Sequence, residues 1–79
     1  LIADGCRIEG RAENCVLFRG VTVAEGAAVK NSILMQDTHV GKDVSLDYII
    51  TDKEVEITDG RMLMGAPQHQ IIINKGKIV

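Results

Sequence analysis

The stretch that decides the fold is Val23-Ala24-Glu25-Gly26-Ala27-Ala28-Val29, followed 17 residues later by Val40-Gly41-Lys42-Asp43-Val44-Ser45-Leu46. Each is a six-residue unit, an aliphatic followed by small or turn-forming residues and then the next aliphatic. Ile2-Ala3-Asp4-Gly5-Cys6-Arg7, then Ile8, opens the chain in the same pattern. Four columns recur at the 17-residue offset: Val23, Val40 and Ile57; Val16, Ile33 and Ile50; Val21, Thr38 and Val55; and Ala12, Val29 and Leu46. Units this short cannot bury an apolar face alone, so they stack on their neighbours as a solenoid.

A strand alternates its faces, so an aliphatic and the small apolar residue two positions before it point the same way. Cys6, Ala27 and Val44 then line one interior together with Ile8, Val29 and Leu46. Gly26, Gly41 and Gly60, with Asp43 and Asp59, fall where the chain must bend, and glycine permits the positive φ that a sharp corner needs. Three six-residue units less one residue make 17, giving each coil three strands and three corners, a triangular prism. One Phe, one Tyr and no Trp suit narrow coils of stacked aliphatics. An amphipathic helix fails on the glycine spacing and the β-branched strands, and a β-sandwich does not explain a constant offset.

The 79 residues make one domain of about four coils: 1–60 as coils and 61–79 as a capping segment. The chain opens at Leu1, inside a repeat, which reads as a C-terminal fragment of a longer protein with its first coil face left raw. From the Ile2 unit to the Val23 unit is 21 residues, so a surplus of four is expected over residues 8–13 as a looser corner or loop. After Gly60 the repeat stops. Gly65-Ala66-Pro67 is a turn, Gln70-Ile71-Ile72-Ile73 a strand, and the tail reads as a capping hairpin or added strand over the last coil.

A net charge of −2, with nine Lys and Arg scattered among eleven acids, argues against nucleic-acid binding. No apolar run is long enough for a membrane helix, and no signal segment is present, which points to the cytoplasm. Cys6 and Cys15 lack metal spacing; a disulfide or two buried thiols both fit. Glu25-Gly26 and Asp59-Gly60 are corners rather than phosphate-cradling loops. Asp52 falls in the column of Phe18 and Met35, an apolar slot, which suggests a register slip or fraying before it suggests a functional carboxylate.

The runs Asn14 to Val23, Glu25-Gly26-Ala27 and Val29 to Thr38, with Asp59-Gly60-Arg61, Gly65 and Ile71 to Gly76, resemble the C-terminal domain of glucose-1-phosphate adenylyltransferase (ADP-glucose pyrophosphorylase). Met35-Gln36-Asp37 and the tail are more similar to the accessory regulatory subunit of bacterial glycogen synthesis than to the catalytic one. The resemblance implies an all-β, left-handed parallel β-helix of hexapeptide repeats. It implies a parent that converts ATP and glucose 1-phosphate to ADP-glucose and pyrophosphate with magnesium, on an N-terminal domain absent from this sequence. It also implies packing on that domain, homo- or hetero-oligomers of adenylyltransferase subunits, and allosteric regulation. No catalytic, cofactor-binding or metal residue carries over.

Two other classes stay in view, a hexapeptide-type acyltransferase and a free-standing assembly scaffold. The first would use a histidine at a coil edge, and His39, before Val40, is the position to consider; no companion residue or carrier loop accompanies it. Two histidines, His39 and His69, are too few for a three-histidine zinc site. Arg7, Arg19, Lys30 and Lys42 are possible anion contacts only as exposed cations.

Overall fold

The computed structural model describes residues 5–79, and everything said of the structure concerns those residues. Twelve short strands wind into three parallel sheets of four, the walls of a prism. The first wall holds β1 (Arg7–Ile8), β4 (Thr22–Val23), β7 (His39–Val40) and β10 (Glu56–Ile57). The second holds β2 (Arg11–Glu13), β5 (Ala28–Lys30), β8 (Ser45–Asp47) and β11 (Met62–Met64). The third holds β3 (Val16–Leu17), β6 (Ile33–Leu34), β9 (Ile49–Thr51) and β12 (Ile71–Ile73). The chain is thus an all-β parallel solenoid of the hexapeptide-repeat β-helix type.

The corners repeat with the strands. Asn14, Asn31 and Tyr48 turn between the second and third walls, and Gly20, Asp37 and Glu54 between the third and first. Gly26, Asp43 and Gly60 turn between the first and second, and all nine adopt positive φ, from 49° to 81°. Asn, Asp and Gly tolerate that region; at Tyr48 and Glu54 the coil geometry imposes it against a side-chain cost of about 1–2 kcal/mol each. Asn14 Nδ2 donates to Asn31 Oδ1 at 2.7 Å, and Asn31 Nδ2 donates to Asp47 Oδ1 at 3.1 Å, tying three coils along one edge.

The core is a set of stacked columns. Val23, Val40 and Ile57 are fully buried one above another, as are Val21, Thr38 and Val55, and Val29 with Leu46. Ala27 and Val44 are buried as the spacing requires, but Cys6 and Ile8, expected in their columns and those of Val29 and Leu46, align instead with Val21 and Val23. The third wall departs from expectation. Val16, Ile33 and Ile50 form a column, but it faces outward, and Leu17, Leu34 and Thr51 fill the interior instead. Period-2 alternation fixes this by one residue: with Cys15, Ser32 and Ile49 buried, the next position must point away.

Buried polar atoms are all satisfied among the described residues. Thr38 Oγ1 and Thr51 Oγ1 bond each other at 3.0 Å, and Thr38 Oγ1 also donates to the Asp52 carbonyl at 3.2 Å. Ser32 Oγ donates to the Lys30 carbonyl and accepts from the Ile49 amide. Thr51 therefore replaces an aliphatic at one level of the core without an orphaned group.

Two further expectations are corrected. Ile8 pairs with Val23, an offset of 15, so the first coil is two residues short rather than four long. The missing pair comes out of the corner at Gly10, where a Cβ would lie 2.3 Å from the Ala27 carbonyl oxygen and 2.7 Å from that of Ala24. Only glycine lets the chain pass so close, so residues 8–13 are a tight bend with no added loop. The Ile2 anchor of the longer count lies outside the described residues. Nor does the repeat stop at Gly60. Leu63 pairs with Leu46 at the usual 17, and Ile72 pairs with Ile50 at 22, the five extra residues forming the turn around Ala66–His69. Of the hairpin and the added strand expected of the tail, the strand is seen: β11 and β12 lie in parallel on the walls below and continue the coil.

Candidate interaction surface

The outward columns differ sharply from wall to wall. On the first wall they read Arg7, Thr22, His39 and Glu56. On the second they read Arg11, Ala28, Ser45 and Met62, with Glu13, Lys30, Asp47 and Met64 alongside. On the third the column is Val16, Ile33, Ile50 and Ile72, aliphatic at every level. Phe18 at the corner next to it is 38% exposed, Ile33 36% and Ile72 69%. Scattered exposed apolar residues are ordinary, but a contiguous apolar strip on one face of an otherwise polar body marks an interaction site. In-register parallel strands make the strip flat, and the β-branched side chains hold it stiff.

The sequence-derived candidates are not gathered into any other site. His39 is exposed on the first wall beside Glu56, at the rim of an open hollow of about 440 Å³ lined by His39, Glu56, Ile57, Thr58 and Asp59. His69 lies in the turn between the second and third walls, its backbone bonded both ways to Ala66. Arg7 pairs with Glu9 on the first wall at 3.7 Å, and Arg19 sits at the third–first corner. Lys30 lies on the second wall in register with Asp47, and Lys42 at the first–second corner, its amide donating to Asp59 Oδ1 at 2.8 Å. These four cations are spread around the prism and converge on nothing.

Asp52 shows neither slip nor fraying. Thr51 beside it pairs with Leu34 at the regular offset. The Asp52 carboxylate instead accepts from the Lys53 amide at 2.7 Å, as an exposed corner residue. Cys6 donates its thiol to the Phe18 carbonyl at 3.1 Å, and buried Cys15 donates to the carbonyls of Glu13 and Val29 at 3.0 and 3.3 Å. Gly26 and Gly60 turn corners with positive φ, whereas Gly41, expected to do the same, has none and is held instead by the close approach of Asp59 and the Ile57 carbonyl. Among the described residues no group of three or more His, Cys, Asp or Glu could hold a metal ion, and no helix is long and apolar enough to cross a membrane.

The aliphatic strip escaped the sequence reading because its members sit beside core residues of the same type. Val16-Leu17, Ile33-Leu34 and Ile49-Ile50 each put two aliphatics in a row, so alternation carries no sign of which faces in. The neighbouring columns mislead in the same direction: Thr51 aligned with Leu17 and Leu34, and Ser32 with Cys15 and Ile49, put polar residues in the columns that face inward.

Comparison with known proteins gives a consistent result. Residues 1–75 match the family model for the GlmU-like, C-terminal hexapeptide. Glucose-1-phosphate adenylyltransferases of Bacillus cytotoxicus, Bacillus mycoides (strain KBAB4) and Bacillus cereus (strain Q1) are each 43% identical over 63 residues, 80% of this chain. The alignment covers 17% of each of those proteins, so the chain spans less than a fifth of the curated relatives it matches. No solved structure matches the chain significantly.

Proposed function

The chain belongs to the GlmU-like C-terminal hexapeptide family, and from that premise we propose that it is the C-terminal assembly and regulatory domain of a glucose-1-phosphate adenylyltransferase. The relatives that carry this stretch bear that enzyme's name. The observation that carries the reading is the third wall: Val16, Ile33, Ile50 and Ile72 present an aliphatic face that water does not favour and a protein surface would cover. The parent makes ADP-glucose from ATP and glucose 1-phosphate in the cytoplasm, with nucleotide and magnesium held on its N-terminal domain. This domain packs on that one and joins subunits into homo- or hetero-oligomers, through which effector response is transmitted. The wording Met35-Gln36-Asp37 supports placing the parent with the accessory regulatory subunit of bacterial glycogen synthesis.

Removing residues 1–79 from the parent tests this. Oligomer formation and effector response should be lost together, while the 79-residue chain alone turns over neither ATP nor glucose 1-phosphate. A truncated parent that kept its assembly state and normal activation would overturn the proposal.

A further inference from the structure

The corner between the second and third walls is set apart by its side chains. At successive levels it carries Asn14, Asn31 and Tyr48, preceded on the second wall by Glu13, Lys30 and Asp47. Asn14 bonds Asn31 and Asn31 bonds Asp47, which fixes three planar polar groups at about 4.8 Å from one coil to the next. Each keeps bonding capacity in hand: Asn14 its Oδ1 and one Nδ2 proton, Asn31 one Nδ2 proton, and Asp47 its Oδ2. At the next level the corner widens into the turn at 66–70, where Gln68, His69 and Gln70 are exposed. The Ile71 amide donates to the Tyr48 carbonyl at 3.1 Å and ties that turn to the corner below.

Tyr48 is the anomaly of the column. The two levels beneath it use asparagine, which tolerates the left-handed region, whereas tyrosine at φ 56° is strained there. The strain gains no hydrogen bond: the residue is half-buried, and among the described residues its phenol is unbonded. Strain kept where an asparagine would fit points to a role outside the fold.

We propose that this corner binds a neutral oligosaccharide, with Tyr48 stacked on the C–H face of one hexose and Asn14, Asn31 and Asp47 bonding the hydroxyls of its neighbours. A carboxamide or carboxylate meets a vicinal diol with two hydrogen bonds, and an aromatic ring covers the apolar face of a pyranose while its polar tip stays wet. One coil rises by close to the advance of one hexose in an extended chain, so a linear chain laid along the corner meets one such group per ring. Charge argues against an anionic ligand. Lys30 lies in register between Glu13 and Asp47, so a phosphate or nucleotide approaching that cation would meet two carboxylates. The site uses none of Val16, Ile33, Ile50 and Ile72, so it stands or falls apart from the third-wall docking face.

Heteronuclear NMR on the isotopically labelled 79-residue chain, titrated separately with maltoheptaose and cellohexaose, tests the site and distinguishes an α-linked from a β-linked chain. The side-chain amide signals of Asn14 and Asn31 should shift with one of the two, with Kd on the order of 1 mM for so open a site. Tyr48→Asn should weaken that binding at least about tenfold yet raise the urea midpoint, since it puts the residue of its own column in place of a strained one. Tyr48→Phe keeps the ring and should bind within about threefold of the unmodified chain. Arg7→Ala, on the first wall, should change nothing. Absence of any shift at the two amides with either glucan, at on the order of ten times that concentration, would overturn the proposal. So would binding that survives Tyr48→Asn or is lost in Tyr48→Phe. A Tyr48→Asn chain that unfolds or loses stability would show the tyrosine to be structural, and that too would overturn it.

Discussion

Leu34→Ala against Ile33→Ala separates the inward from the outward column of the third wall at adjacent positions. Leu34 is fully buried, in register with Leu17 below it and Thr51 above, whereas Ile33 is 36% exposed. Removing three carbons from a buried leucine forfeits about 2.4 kcal/mol at 0.8 kcal/mol per CH₂. The cavity left between rigid coils brings the cost to about 3–5 kcal/mol, within the range measured for core leucines. Ile33 already gives part of its surface to water and leaves no enclosed void, so its truncation should cost about 1 kcal/mol. For a domain of this size each kcal/mol shifts Tm by roughly 4–8 °C, which makes the difference between the two variants at least about 8 °C. Urea titration followed by far-UV circular dichroism reads both, at a protein concentration below which Tm no longer changes. Equal losses, or a larger loss for Ile33→Ala, would refute the register.

Gly10→Ala puts a methyl group against two backbone carbonyls of the next coil, neither of which can rotate away, and should cost at least about 2 kcal/mol in the same titration; Gly60→Ala, with nothing within 4 Å of its Cβ site, should show only the smaller penalty of its positive φ, about 1 kcal/mol. His39→Ala in the full-length parent should leave ADP-glucose synthesis within about threefold, a barrier change of roughly 0.7 kcal/mol. A hundredfold loss would return His39 to the chemistry.

The period was legible because the coil geometry repeats at both levels that leave a trace. Inward aliphatics such as Val23, Val40 and Ile57 recur with the turn residues Gly26, Asp43 and Gly60 at one offset. It was lost wherever the coil length changed. The shortened corner at Gly10 let Ile2 pass for the anchor that Ile8 supplies, and the five residues inserted before Ile71 concealed the final coil. The third wall misled because an outward aliphatic column beside an inward one is chemically like a core, and a sequence records apolar character without recording which way it faces. His39, Arg7, Arg19, Lys30 and Lys42 share no motif spacing in the sequence, and in the prism they lie on two walls and two corners.

The most direct test of the account is Ile33→Lys combined with Ile50→Lys in the full-length parent, with assembly state read by light scattering. Both side chains point outward, so the coil should stay folded, with its urea midpoint close to that of the unmodified protein. Two unpaired ammonium groups within a protein–protein contact cost several kcal/mol, so the oligomer should dissociate and the effector response fall with it. An intact oligomer with normal activation, on a domain shown to be folded, would contradict the assignment of the third wall as the docking face.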